Sequence, residues 1–454
     1  MPGPAPRRNA NRRRVAVALA AVAVVVCSCA TPSASSVTND SGVKISMSTP
    51  AGLRAKQTVD MLNSDWPIGE NGVRTLAAPE VVNSVRDVME NLWWERPFTI
   101  ADVEYYAGRV TLHLVNSFGV KQDITIHTDE NRLVDRFAAT VQQSKVASWA
   151  DVDAALSSSR ARYSYQVSKV DDGRCDRVAG TNTSQSLPLA SIFKLYVLFA
   201  VADAVKAGTL SWDDQLTITL EARAVGSSGL EQLPPGSKVS VRTAAEKMIA
   251  NSDNMATDLL IDKVGTGAVE RALVAAGHHD PASMTPFPTM HEMFSVGWGE
   301  PDLREQWRDA VATGLPQARA RLLQQANSRP YEADPERTHT PASAYGAGWY
   351  GSAEDICRVH AALQTGAVGA AAPVREIMSA IPGIDLDPGQ WPYIGAKAGN
   401  LPGDLTFSWY AVDSSGQPWV VSFQLNWPRF HGPSAGAWVM SIAKQVFAML
   451  PRQA

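Results

Sequence analysis

The sequence predicts an α+β protein of two folded domains, and three observations carry that reading. At 454 residues the chain is longer than one ordinary hydrophobic core supports. Residues 51–145 read as helices followed by an alternating, turn-punctuated stretch. Residues 148–454 place strand patterns at both ends of a long helical middle. The composition, 45% hydrophobic and 19% charged, is that of a globular protein. A formal net charge of −4, with nothing basic clustered beyond the first residues, argues against a nucleic-acid binder.

The first residues read as an export signal. Arg7, Arg8, Arg12, Arg13 and Arg14 precede the apolar run "VAVALAAVAVVV", and "CSCATPSASS" follows. The run is short for a transmembrane helix and right for a signal-peptide core. Cleavage before Cys29, with Ser28 and Val26 behind it, resembles a bacterial lipobox, from which Cys27 is a departure. The expectation is a lipoprotein signal over 1–29, a lipid on Cys29 that anchors the chain to the outer face of the cell membrane, and a Ser/Thr/Pro-rich tether over 30–50. An ordinary secreted protein cleaved elsewhere is the alternative. Cys175 and Cys357 remain in the body. An oxidising compartment permits a disulfide, but two separate buried thiols fit the residues as well.

Within 51–145, "LRAKQTVDMLN" and "PEVVNSVRDVMENLWW" have helical periodicity. "FTIADVEYYAGRVTLHLVNSFGVKQDITIHTDE" alternates, broken at Gly108 and Gly119, which predicts an antiparallel meander. His113 and His127 fall at strand positions and read as a polar-face and a satisfied histidine. From 148 onward, "SWADVDAAL" reads as a helix and "RYSYQVSKVDDG" as a strand. "YIGAKAGN" and "TFSWYAVDSSGQPWVVSFQLNW" read as strands, and "AGAWVMSIAKQVFAML" as a closing helix.

The segment "SLPLASIFKLYVLFAVADAV" is apolar enough for a buried helix, yet Ser191 and Lys194 stand near its start. Buried lysine is costly unless paired or neutralised. Ser-x-x-Lys occurs three times, from Ser41, Ser191 and Ser441, and Lys-x-Gly three times, at Lys206, Lys263 and Lys397. Ser252-Asp253-Asn254 occurs once, after Ser191 and before Lys397. Lys206 and Lys263 close helical segments where glycine is the usual stop. Ser41 lies in the tether, and Ser441 has no downstream partner. The surviving set is Ser191, Lys194, Ser252, Asn254 and Lys397. At i and i+3 on a helix, Ser191 and Lys194 share a face, and a desolvated lysine beside another cation serves as base for a serine nucleophile.

In this order the three motifs resemble class A β-lactamases and the related penicillin-binding proteins. "SSGLEQLPPGSKVSVRTAAEKMIANSDNMATDLLID" and "GSAEDICRVHAALQ" extend the resemblance over residues 148–450. With the small preceding domain, the arrangement is similar to the two-domain β-lactamase-like proteins of clavulanic acid gene clusters and to actinobacterial lipoproteins of that type. The resemblance implies a β-lactamase/transpeptidase-like fold over 148–454: an antiparallel sheet flanked by helices, beside an all-helical lobe. It implies an acyl-Ser191 intermediate, Ser252 relaying a proton, and Asn254 orienting Lys194 or a substrate amide. Lys397 supplies positive charge, and the backbone N–H groups of Ser191 and Asn400 form the oxyanion hole. No metal or organic cofactor is implied. The partners implied are a small-molecule or cell-wall-derived substrate and the membrane.

Two departures bear on turnover. Lys397-Ala398-Gly399 lacks the hydroxyl that holds a β-lactam carboxylate in the family, so Ala398 and Gly399 line the substrate site without that contact. The family's Glu-x-x-Leu-Asn loop, whose glutamate activates the deacylating water, has only Glu300-Pro301-Asp302-Leu303-Arg304 as a counterpart. Glu300 is thus a candidate deacylation base and equally part of a helix start; Glu292 is the weaker candidate. "GPSAG" at 432–436 has no later acid and histidine to complete a nucleophile elbow. "HHD" at 278–280 and "HE" at 291–292 match no helical metal motif and read as loop-exposed histidines. The expectation is an exported serine hydrolase, esterase or β-lactamase, with weak β-lactam turnover. The alternatives are a DD-peptidase-like envelope enzyme and a non-catalytic lipoprotein that binds peptidoglycan or a protein.

Overall fold

The computed structural model describes residues 42–219 and 229–450. The signal, Cys29, Ser41 and most of the tether lie outside the described residues.

Three helices open the small domain: α1 (Pro50–Leu62), α2 (Glu70–Leu76) and α3 (Val82–Trp93). Thr49 caps α1 by accepting from Gly52 N, and Pro50 stands where a missing N–H costs nothing. The domain begins earlier than residue 51, because Ile45 is buried in its core and Val43 packs beside it. Strands β1 (Thr99–Tyr106), β2 (Arg109–Val115), β3 (Lys121–Thr128) and β4 (Val134–Val141) pair consecutively as an antiparallel meander. Val110, Leu112, Leu114, Ile124 and Ile126 join the helices in one core, as period-2 patterning requires. β4 is a strand the alternation does not reveal, since "DRFAATV" offers few large apolar residues. His113 and His127 each bond an aspartate, Asp123 and Asp135, at 2.6 Å.

The second domain starts with α4 (Trp149–Ser158), β5 (Arg162–Asp171) and β6 (Arg174–Thr181). A two-residue strand, β7 (Leu187–Pro188), leads through a 3₁₀ turn (Ala190–Phe193) into α5 (Lys194–Lys206). α5 is buried nearly all round, which is why its sequence lacks a polar stripe. Short strands β8 (Gln215–Thr217) and β9 (Lys238–Ser240) precede α6 (Val241–Ala250), α7 (Asn254–Val264) and α8 (Thr266–Ala275). Then come α9 (Met290–Trp298), α10 (Arg304–Ala312) and α11 (Pro316–Ala326). β10 (Tyr350–Gly351), α12 (Ala353–Gly366) and α13 (Pro373–Ser379) complete the helical lobe. The chain returns through β11 (Tyr393–Leu401), β12 (Asp404–Val412) and β13 (Pro418–Asn426) to α14 (Ser434–Met449).

The main sheet has the order β11-β12-β13-β5-β6, all antiparallel, so the two ends of the domain meet at β13–β5. Trp409, Trp419 and Phe423 pack with α4 and α14 on one face. On the other lies α12, which Cys357 ties to Cys175 of β6 by a disulfide with Cα atoms 6.3 Å apart. That pairing, which the residues leave open, joins positions 182 apart in sequence.

The two domains share core. Phe118, from the β2–β3 turn, is buried edge-on to Trp427 at 5.5 Å. Glu95, fully buried, accepts from Ser434 N at 2.9 Å, Ser434 Oγ at 2.6 Å and Asn116 Nδ2 at 2.8 Å, and it also bonds Gln122. Burial pushes this carboxyl up, and those donors pull it back toward the charged form. A hydrogen-bond acceptor at the first turn of α14 suits the N–H groups left open there.

Candidate active site

Ser191 lies in the 3₁₀ turn and not in an α-helix, so the helix expected from Ser191 begins three residues later, at Lys194. The i, i+3 relation survives, because a 3₁₀ turn also stacks those positions. Ala190, directly before Ser191, has φ +44°, and Ser252 has φ +56°. Neither is glycine, so both store backbone strain of the kind that clusters at functional sites.

Lys194 is fully buried. Its Nζ donates to Ser252 O at 2.6 Å and Asn254 Oδ1 at 2.7 Å, and lies 3.2 Å from Ser252 Oγ. Desolvation, and then the charge of Lys397, hold it well below the usual lysine range; Asp258 and Asp253 pull the other way. In the neutral amine, two N–H bonds are spent on the Ser252 and Asn254 oxygens. The lone pair is left for a hydroxyl, which is the arrangement a base requires.

The turn that delivers Ser252 and Asn254 is set by α7. Asp253, fully buried, caps that helix by accepting from Ala256 N at 2.8 Å. This fixes the middle residue of the tripeptide for a structural reason. Asp258, one turn on, accepts from Met290 N at 2.7 Å and His291 N at 2.9 Å, and burial pushes it up to about 7. It anchors the start of α9 beside the site.

Lys397 is buried in the middle of β11, where its Nζ donates to Ala398 O at 2.8 Å, and desolvation pushes it down to about 7. Gly399 packs on the turn that carries Ser191: a Cβ there would lie 2.6 Å from Ser191 N and 2.9 Å from Ala190 Cβ. Ser191, Ser252, Asn254, Ala398, Gly399 and Asn400 all line a cavity of about 520 Å³. Met290, Phe294, Leu401, Leu405 and Phe407 supply much of its wall, and sequence reading misses all five. The register carries the one usable signal, since a tight β11–β12 hairpin puts Phe407 opposite Ala398.

Glu300 is not among the described residues of this cavity. It is half-exposed and bonds Arg337 at 2.8 Å, before α10. Glu292 closes a capping box on α9, with Oε2 accepting from Thr289 N at 2.7 Å, and also bonds Asn327. Ser441 donates to Trp438 O within α14, and Lys206 and Lys263 lie in the last turns of their helices. Ser434 of "GPSAG" is taken up by Glu95.

The histidines at 278–279 correct the exposed-loop reading in part: His278 is buried. Its Nε2–H donates to Tyr350 O at 3.0 Å and its Nδ1 accepts from Asp280 N at 3.1 Å, so both nitrogens are occupied. His278, His279 and Asp355 converge. Asp355 is nevertheless saturated by Ser352 N, Ser352 Oγ, His279 N and the Arg358 guanidinium, which repels a metal ion.

Residues 147–368 match the family model described as the beta-lactamase enzyme family. The fold is β-lactamase/transpeptidase-like. At the level of the superfamily this supports a serine-hydrolase-type enzyme. The match ends before β11. Residues 46–134 match the model described as the ORF 12 gene product N-terminal domain. No curated protein matches. Among solved structures, the chain is similar to a β-lactamase from Sphaerobacter thermophilus (19% identity over 67% of this chain and 99% of that one, TM-score 0.46). It is also similar to PBP-A (15%, 69% and 100%, TM-score 0.46). A third is the class A β-lactamase of the last common ancestor of Gram-negative bacteria (17%, 66% and 98%, TM-score 0.46).

Proposed function

We propose that this chain is an exported serine hydrolase, lipid-anchored at Cys29, that attacks an ester, amide or β-lactam carbonyl through Ser191. The observation that carries it is the state of Lys194. A fully buried amine is held by Ser252 and Asn254, one turn from a serine that lines a cavity. Ser191 Oγ attacks the carbonyl carbon while its proton passes to neutral Lys194, and the C=O electrons move onto oxygen. The N–H groups of Ser191 and Asn400 hold that oxyanion. The proton then reaches the leaving group through Ser252, the acyl bond breaks, and acyl-Ser191 remains for water to hydrolyse.

Deacylation is the weak step. No carboxylate is among the described residues of the cavity, and general-base help is worth about 10²–10⁴-fold. β-Lactam turnover is therefore slow, with a long-lived adduct, while simple activated esters turn over better. The test is hydrolysis of 4-nitrophenyl acetate and nitrocefin by wild type and Ser191→Ala. Ser191-dependent ester hydrolysis with slow nitrocefin clearance supports the reading; ester hydrolysis untouched by Ser191→Ala contradicts it. The missing hydroxyl at Ala398 favours, as second reading, a non-catalytic lipoprotein that binds peptidoglycan, which would show no acyl adduct at all. The Cys175–Cys357 disulfide supports export, because such bonds persist in oxidising compartments. For the anchor, an alkyne fatty acid should label wild type and not Cys29→Ser; equal labelling of both contradicts it.

A further inference from the structure

The cavity walls speak to the substrate of the site proposed above, and the inference rests on that reading. Ala398 stands opposite Phe407, and Asn400 opposite Leu405, so these side chains share one face of the β11–β12 hairpin. Gly436, in the first turn of α14, completes that wall; a Cβ there would lie 4.0 Å from the Phe407 ring. Where the related enzymes place a hydroxyl for a carboxylate, this chain presents a methyl group backed by an aromatic ring. Met290 and Phe294 of α9 also line this cavity. A second space of about 180 Å³ shares Ser252, Ala398 and Phe407 with this cavity and is walled also by Ile381, Pro382 and Trp409.

Charge points the same way. None of the described residues lining the larger space is ionisable, and in the smaller one only Lys397 is. The Lys397 ammonium is buried and turned onto the carbonyl of Ala398. A substrate carboxylate entering the larger space would lose its water and meet no cationic side chain among its described lining residues, a strongly unfavourable exchange. Methylene groups would gain, since each one buried is worth about a fourfold change in equilibrium.

We infer that the substrate is an uncharged ester, apolar on both sides of its reacting carbonyl, and not a carboxylate-bearing peptide or β-lactam. The relevant chemistry is that of a short- to medium-chain acyl ester, hydrolysed to the free acid and an alcohol with Ser191 regenerated by water.

The experiment compares 4-nitrophenyl acetate, butyrate and hexanoate with the 4-nitrophenyl monoester of adipic acid, which matches the hexanoate in length but ends in a carboxylate. Full-length wild type, Ser191→Ala and Phe407→Arg are assayed. In wild type, kcat/KM should rise about tenfold from acetate to butyrate, and the adipate ester should fall at least about tenfold below the hexanoate. Phe407→Arg, at a half-buried position on the cavity wall, should narrow or invert the hexanoate-to-adipate ratio. An adipate ester as good as the hexanoate, with both lost in Ser191→Ala, overturns the substrate class and leaves the serine-hydrolase reading standing. Hydrolysis that persists in Ser191→Ala, or is absent from wild type, overturns both.

Discussion

Gly399 lies against the backbone of Ser191 so closely that a Cβ on it would stand 2.6 Å from the Ser191 nitrogen and 2.5 Å from Thr406 Oγ1. Both obstacles are fixed: one is backbone, and the other is a buried hydroxyl that donates to Leu189 O at 2.9 Å. Strand and Ser191 turn therefore have one relative position, which only glycine permits. Gly399→Ala should displace the Ser191 N–H and cut ester turnover about 100-fold, the scale of losing one oxyanion donor. Ala398→Ser, at an exposed neighbour that lines the cavity, should speed acylation by β-lactams. Equal activity of Gly399→Ala and wild type would show that this contact does not position the turn.

The pH dependence of acylation should report Lys194. A base must be unprotonated to act, so the rate should rise with pH on a limb well below the ordinary lysine range, because burial and Lys397 both disfavour the protonated amine. Removing the neighbouring cation makes protonation of Lys194 easier, so Lys397→Met should move that limb to higher pH. Labelling rates of both proteins with a serine-directed probe, from pH 5 to 10, check this. A limb that stays in place, or moves down, contradicts the coupling.

Short motifs made the polar half of the site legible, because Ser191, Lys194, Ser252, Asn254 and Lys397 belong to patterns whose order restricts the choice. The apolar half was not. Met290, Phe294 and Phe407 look like any core residues until α9 and the β11–β12 register bring them to one cavity. In the fold, periodic segments such as α3 and α14 are plain, and α5 is plain from its long apolar run. β4 is faint because it offers few large apolar residues, and the disulfide is not legible across 182 positions. Glu300 stands in a partial motif, with Arg304 in place of the asparagine, and Arg337 takes its side chain.

Glu300→Gln should accordingly change β-lactam deacylation by far less than the roughly 10²-fold that loss of a general base brings. Burst and steady-state phases of nitrocefin hydrolysis separate the acylation and deacylation rates. Clearance at the rate of a dedicated β-lactamase, abolished by Glu300→Gln, would make Glu300 the deacylation base and sink the slow-turnover reading.

Glu95 should be worth more than an ordinary surface carboxylate, since Ser434, Asn116 and Gln122 all donate to it in a buried site. Glu95→Ala strands those donors at the junction of the two domains and should destabilise the protein by about 2–4 kcal/mol, against about 1 kcal/mol for Ser434→Ala. Denaturant unfolding measures both. Equal, small losses would mean that water replaces the carboxylate and the junction is looser than the geometry indicates.

The central claim is that Ser191 is the acylated nucleophile. Its most direct test is mass spectrometry of the intact protein after exposure to a fluorophosphonate, followed by peptide mapping, for wild type, Ser191→Ala and Ser441→Ala. One adduct per chain is expected, on the peptide containing Ser191, unchanged in Ser441→Ala and absent from Ser191→Ala. An adduct on another serine, or none on wild type, would contradict it.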